Sequence, residues 1–351
     1  MKTQITAQIA QRSMSPGMRS SIRSRISLVL LGIVCVGLVG ALPAQTGHAQ
    51  SVLYVQADAV GANNGTNWAD AYSDLKDALA TAVVGDQIWV ARGMYTPGGP
   101  GDRSATFQLK NGVGVYGGFA GIEDSPGERD PGANVTVLSG DLRGNDLEAL
   151  ETRELASEPT RADNSYHVVT GSGADETALL DGFLITGGNA NASGHFNGGG
   201  MINEWKAPAA GRAGTSGPES ANPTFVNCSF HRNSASHKGG GIYNEAGIPT
   251  LIDCVFSENH ANGTAWEQGG GGMYNQGGSP TLRNCRFVGN TAASSGAGLH
   301  NVRANPTIID TVFDGNVIVV MRNTHVGGGM LNESSDATII NCTFTGTSAQ
   351  F

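Results

Sequence analysis

Asp141, Asn145, Asp146 and Asp163, followed by Asn164, bracket a stretch that also carries Glu148, Glu151, Glu154 and Glu158. Hard oxygen ligands at this density suit calcium. No D-x-D-x-D-G loop is present, so Asx-turn chemistry explains the same residues without a metal. A second set, Trp266, Glu267 and Gln268 with Met321, Arg322 and His325, mixes aromatic, soft apolar and charged groups of the kind enriched at recognition surfaces. Acid–base catalysis would need paired carboxylates, or a basic proton acceptor beside acidic groups. Neither is legible. Arg232, Arg283, Arg286, Arg303 and Arg322 are scattered, and His231, His237, His300 and His325 read as solvated surface residues. Glu204, Glu245, Gln276, Val302 and Glu333 recur at one position and read as a solvated face.

What must position these residues is a repeat. Pro223-Thr-Phe-Val-Asn-Cys-Ser-Phe230 returns as Pro249-Thr-Leu-Ile-Asp-Cys-Val-Phe256, Pro280-Thr-Leu-Arg-Asn-Cys-Arg-Phe287, Pro306-Thr-Ile-Ile-Asp-Thr-Val-Phe313 and Ala337-Thr-Ile-Ile-Asn-Cys-Thr-Phe344. The copies begin 26, 31, 26 and 31 residues apart, a period of stacked supersecondary units. Asn233, Asn259, Asn290 or Asn316 follows each of the first four, and then a glycine cluster closing on Asn244, Asn275, Asn301 or Asn332.

Runs of 3 to 8 residues rich in β-branched and aromatic types are of strand length. Successive copies in one orientation imply parallel strands about 4.8 Å apart, each coil burying its apolar face on the next. The fold expected is all-β, a right-handed parallel β-helix solenoid with an N-terminal capping helix. Phe225, Leu251, Leu282, Ile308 and Ile339 form one interior column; Cys228, Cys254, Cys285, Thr311 and Cys342 form another, a place for unpaired thiols rather than disulfides. The Asx column at 227, 253, 284, 310 and 341 suits bends. Glycine at 52 of 351 residues fits many bends with positive φ.

Upstream, Leu75, Ala78, Leu79 and Ala82 have helical spacing between Ser73 and Gly85, where a helix would cover the first coil's exposed edge. Short strands are expected at Gln87–Ala91, Thr106–Leu109, Gly114–Tyr116, Val135–Leu138, His167–Val169 and Leu179–Thr186. Asp141–Asn164, partly helical near Leu147–Leu155, and Lys206–Asn222 read as excursions from the coil.

Residues 1–49 read as a signal peptide: Lys2, Arg12, Arg19, Arg23 and Arg25 precede an apolar run from Ile26 to Leu42, with small residues before Gln50. Its removal takes away five basic and no acidic residues, leaving 16 against 30, a net of −14, which makes nucleic acid an unsuitable partner. Residues 50–351 form the solenoid domain, with clean repeats over 223–351 and a stop in mid-coil that reads as truncation.

Phe230-His-Arg-Asn233, Phe256-Ser-Glu-Asn259, Phe287-Val-Gly-Asn290 and Phe313-Asp-Gly-Asn316, alternating with Gly-Gly-Gly clusters, resemble the repeats of chlamydial polymorphic outer-membrane proteins. Val115-Tyr-Gly-Gly-Phe119, Leu138-Ser-Gly-Asp141 and Asp181-Gly-Phe183 are similar to secreted bacterial β-helix proteins of the pectin-lyase-like fold. The sequence patterns of pectate lyases and polygalacturonases are missing. The resemblance implies an exported, adhesin-like surface protein contacting glycans or cell surfaces, with a polysaccharide lyase or glycoside hydrolase as the alternative. No cofactor beyond the calcium considered above is expected.

The alternating step lies wholly in one segment: Asn233 to Ile242 and Asn290 to Leu299 are 9 residues, Asn259 to Met273 and Asn316 to Met330 are 14. His260–Gln268 and Val317–Val326 are therefore expected to project from the same side, two coils apart, as a ridge carrying the six residues of the second set. Alternatively, Val317 to Val320 fold back over Trp266 and seal that side.

Overall fold

The computed structural model describes residues 50–147, 150–205, 221–265, 267–319 and 327–349; the predicted signal segment and most of the second excursion lie outside them. One coil shows how the rest are built. Thr224–Val226 enters a nine-stranded sheet, Ser229–His231 an eight-stranded one, Ser234–Ala235 a six-stranded one and Ile242–Glu245 a seven-stranded one, all parallel. Through the repeated coils the register is unslipped, Phe230 pairing with Phe256, which pairs with Phe287, then Phe313, then Phe344, while an earlier pair shifts register between Trp89 and Ala91. Because strands rise one above another, each column of like residues becomes a physical stack. The phenylalanine rings lie 4.5–5.1 Å apart and within 8° of parallel.

Bends between strands follow from the residues that tolerate them. Asn227, Asp253, Asn284, Asp310 and Asn341 all have φ between 50° and 55°, a left-handed conformation that Asn and Asp adopt at little cost. Their side chains pair in twos, Asn284 donating to Asp253 at 2.6 Å, Asn341 to Asp310 at 2.5 Å and Asn227 to Asp181 at 3.2 Å. The Asn/Asp alternation thus has the same two-coil period as the loop lengths. Two further Asn columns lie inside, the second of them reaching the exposed Asn332 at its last coil. Asn233, Asn259, Asn290 and Asn316 hydrogen-bond in series at 2.9–3.1 Å, and Asn203, Asn244, Asn275, Asn301 and Asn332 at 2.6–3.3 Å. The glycine clusters are where backbones meet most closely: a Cβ on Gly271 would lie 2.2 Å from the Thr291 carbonyl oxygen.

Cys228, Cys254 and Cys285 are buried free thiols in the main core and Cys342 is a half-buried one. The Cys228 thiol donates to the Leu180 carbonyl, and burial pushes its pKa up to about 12, so little reactive thiolate forms. Maleimide should therefore leave Cys228, Cys254 and Cys285 unlabelled in the folded protein and label all three on denaturation without reductant. Mass-spectrometric detection of a disulfide among them would contradict this packing.

The helix forms at Leu75–Thr81, with the Asp74 side chain accepting from the Lys76 amide at its start. Leu75, Ala78 and Leu79 enter the main core, and Lys110 Nζ donates to the Leu79 and Ala82 carbonyls at its end. The strand expected over Leu179–Thr186 is split in two by Gly182, at φ 87°. Among its described residues the acidic excursion shows 3-10 turns at Thr152–Glu154 and Pro159–Asp163 in place of the expected helix.

Candidate functional site

Each coil passes from the six-stranded to the seven-stranded sheet through its glycine cluster, and both long loops leave at this corner. They begin later than expected. His260–Ala261 and Val317–Ile318 are strands, and Ile318 is fully buried among Ala261, Ala292 and Ala297. Trp266, Met321, Arg322 and His325 lie outside the described residues. Glu267 and Gln268 are tied to the coil: Tyr274 Oη donates to the Glu267 carbonyl at 2.8 Å, Ser294 Oγ to the Gln268 carbonyl at 2.8 Å, and the Ala265 amide to Gln268 Oε1 at 3.0 Å.

A strip of half-buried rings leads into this loop from earlier coils. The Arg103 guanidinium lies 4.3 Å from the centre of the Tyr166 ring, whose other partner is His195, stacked at 4.5 Å and 10°. Next to His195, Phe196 stacks on His237 at 4.5 Å. Next to His237, Lys238 Nζ lies 4.8 Å from the Tyr274 ring. Bridges join Asn197 to Lys238 and Lys238 to Gly269. One residue earlier, Phe196, His237 and Gln268 therefore share a column, so the loop residue Gln268 continues the aromatic strip. His167 holds His195 in place: its Nδ1 faces the Gly198 carbonyl at 2.9 Å and its Nε2 the His195 Nδ1 at 3.0 Å. Burial lowers the His167 pKa to about 4. It is thus neutral at pH 7, which fixes His195 Nδ1 as the donor between them.

None of Tyr166, His195 or Phe196 belongs to a repeated interior column, so the sequence reading passed over them. The position just ahead of each glycine cluster was the available clue. The expected solvated role for His300 is corrected: its ring is fully buried, 4.8 Å edge-on to Tyr274 and with Nε2 3.7 Å from Glu333 Oε2. The glutamate column is half-buried rather than freely solvated. Tyr243 Oη and Gln276 Nε2 both donate to Glu245, and Lys238 Nζ donates to Gln276.

A recess of about 620 Å³ lies between the acidic excursion and the outer face of the eight-stranded sheet, lined among others by Asp141, Asp146, Arg161, His231, Arg232 and Glu258. Asp141 is occupied by backbone, accepting from the amides of Arg143, Gly144 and Asp146. Asn145 is exposed. Asp146 Oδ2 accepts from Arg161 Nη1 at 2.8 Å and Asn164 Nδ2 at 2.9 Å, while Asp163 Oδ2 pairs with Arg143 Nε at 2.9 Å. Arg161 is buried and also donates to the Gly188 and Arg232 carbonyls, which anchors the excursion. Arg232 bridges Glu258 at 3.0 Å and the Leu150 carbonyl at 3.1 Å. Among the described residues no three His, Cys, Asp or Glu side chains form a group that could hold a metal ion.

A model for the right-handed beta helix region matches residues 203–344. No curated protein matches the sequence. Among solved structures the chain is similar to the pectate lyase Pel9A, at 16% identity and TM-score 0.43, over 81% of this chain and 58% of the lyase. It is similar to a pectin methylesterase from Aspergillus niger at 14% identity and TM-score 0.37, over 86% of this chain and 88% of that one. A rhamnogalacturonan lyase aligns at 10% identity and TM-score 0.31, over 83% and 87% of the two chains. The chain spans 58% of the length of the first of these. Strand order, unslipped register and the family match identify the molecule as a right-handed parallel β-helix.

Proposed function

We propose that this β-helix is an exported, non-catalytic, adhesin-like protein that contacts glycans or a cell surface through the corner between its six- and seven-stranded sheets. The observation that carries this reading is the strip of half-buried side chains from Tyr166 and His195 through Phe196 and His237 to Gln268, with Lys238 held at its end over the fully buried Tyr274 ring. Half-buried rings offer an apolar face to a sugar ring, and their polar neighbours fix its orientation. The strip runs along the solenoid axis, so an extended chain would meet one ring set after another on a rigid support. Trp266, Glu267, Gln268, Met321, Arg322 and His325 belong to the same proposed surface.

The test uses immobilised polygalacturonate, β-glucan and chitin. Phe196→Ala and His237→Ala, alone and with Trp266→Ala or Arg322→Ala, should each weaken binding to the polysaccharide that the wild type retains. Stacking worth about 1 kcal/mol per ring predicts roughly a fivefold loss for each ring change. The melting temperature should stay within a few degrees, since both described rings lie outside the main core. Retained binding with lowered melting would assign the strip to packing and defeat the proposal. The recess lined by His231, Arg232 and Glu258 gathers an imidazole, a guanidinium and a carboxylate, groups that acid–base chemistry would use; unsaturated uronate ends appearing in polygalacturonate would replace the proposal with a lyase.

A further inference from the structure

Among the described residues, five buried side-chain atoms without a hydrogen-bond partner lie within one twenty-residue span: Asp146 Oδ1, Arg161 Nε, Asp163 Oδ1, Asn164 Oδ1 and Ser165 Oγ. A buried polar atom without a partner costs about 1–3 kcal/mol. A cluster of them marks a place where water or an ion belongs.

The oxygens divide in a regular way. In both aspartates Oδ2 takes the guanidinium and Oδ1 is left over. Asn164 has its nitrogen committed to Asp146 Oδ2 at 2.9 Å and to the Gly187 carbonyl at 2.7 Å, which fixes the flip of the amide and leaves Oδ1 as the unused atom. Asn164 and Ser165 are wholly buried, and the Ser165 amide donates to the Gly140 carbonyl, closing the loop that contains all of these groups. Three of the five atoms can only accept. One water has two hydrogens to give, so it cannot serve three acceptors.

We infer that Asp146 Oδ1, Asp163 Oδ1, Asn164 Oδ1 and Ser165 Oγ bind a hard divalent cation, with calcium as its best fit, at the base of the acidic excursion. The set is all oxygen, and two carboxylates with neutral oxygens make a modest site of the kind found in extracellular modules. A bound ion would tie the excursion to the eight-stranded sheet, beside Arg161. This site is separate from the aromatic strip, so the two proposals stand or fall independently.

Calcium chloride titrated calorimetrically into the full chain should show saturable one-to-one binding with Kd on the order of 10⁻⁴–10⁻³ M. Asp163→Asn should weaken it at least about tenfold and remove the calcium-induced rise in melting temperature. Ser165→Ala, which deletes one oxygen, should weaken it severalfold and covers the case in which Asp163→Asn folds poorly. Polysaccharide binding by either variant should be unchanged. No calcium binding by the wild type would show that water alone fills the cluster, and unaltered affinity in folded variants would put the ion elsewhere; either result overturns the inference.

Discussion

Asn259→Ala should destabilise the solenoid by about 2–6 kcal/mol in a urea titration. The side chain is fully buried and makes four hydrogen bonds: Oδ1 accepts from the Asn233 amide at 3.0 Å and from Asn233 Nδ2 at 3.1 Å, and Nδ2 donates to the Phe230 carbonyl at 2.8 Å and to Asn290 Oδ1 at 3.0 Å. Alanine removes all four and puts nothing in their place. Asn233 Nδ2 keeps the Ile185 carbonyl and Asn290 Oδ1 keeps the backbone amide of residue 259, but the Asn233 amide and the Phe230 carbonyl lose the partners named above, at about 1–3 kcal/mol each. The series from Asn233 to Asn316 is also cut in the middle, so coils on either side lose the side-chain bond that links them. A measured loss below about 1 kcal/mol would mean that the column is filled by water as easily as by asparagine, and would remove it from the account of stability.

Phe256→Ala should cost about 3–5 kcal/mol, the usual penalty for truncating a large buried aromatic. The ring has no exposed surface and lies between Phe230 at 5.1 Å and Phe287 at 4.5 Å. Strand spacing fixes those rings about 4.8 Å apart through the backbone, so they cannot collapse into the space left behind and the cavity term is paid nearly in full. Phe256→Leu should recover much of the loss by refilling the volume. Urea titration decides between this and a peripheral role, with a loss under about 1 kcal/mol placing Phe256 outside the core.

Both results depend on columns, and columns are what the sequence made plain. Unslipped parallel stacking means that one environment is repeated in every coil, so the same residue type must answer it each time. Phe230, Phe256, Phe287, Phe313 and Phe344 therefore announce an interior stack, and the Asx residues at 227, 253, 284, 310 and 341 announce bends, before any coordinate is known. Outward positions meet a different neighbourhood in each coil and carry no such repetition. His300 looked like a surface residue for that reason, and only its packing against Tyr274 and beside Glu333 revealed it as buried. The same holds for the chemistry at the corner. Tyr166 and His195 stand 29 residues apart in an irregular stretch, and their stacking depends on how the intervening coil closes. Likewise Asp146, Asp163 and Asn164 were visible as an acidic, polar cluster, but Arg161 and Arg143 were not part of it, and which oxygens arginine takes and which it leaves is a matter of side-chain direction. The amino-acid sequence by itself determined the coil, its interior and its period, because these repeat. The tertiary structure alone decided which outward side chains meet, because loops of unequal length bring together residues that no period relates.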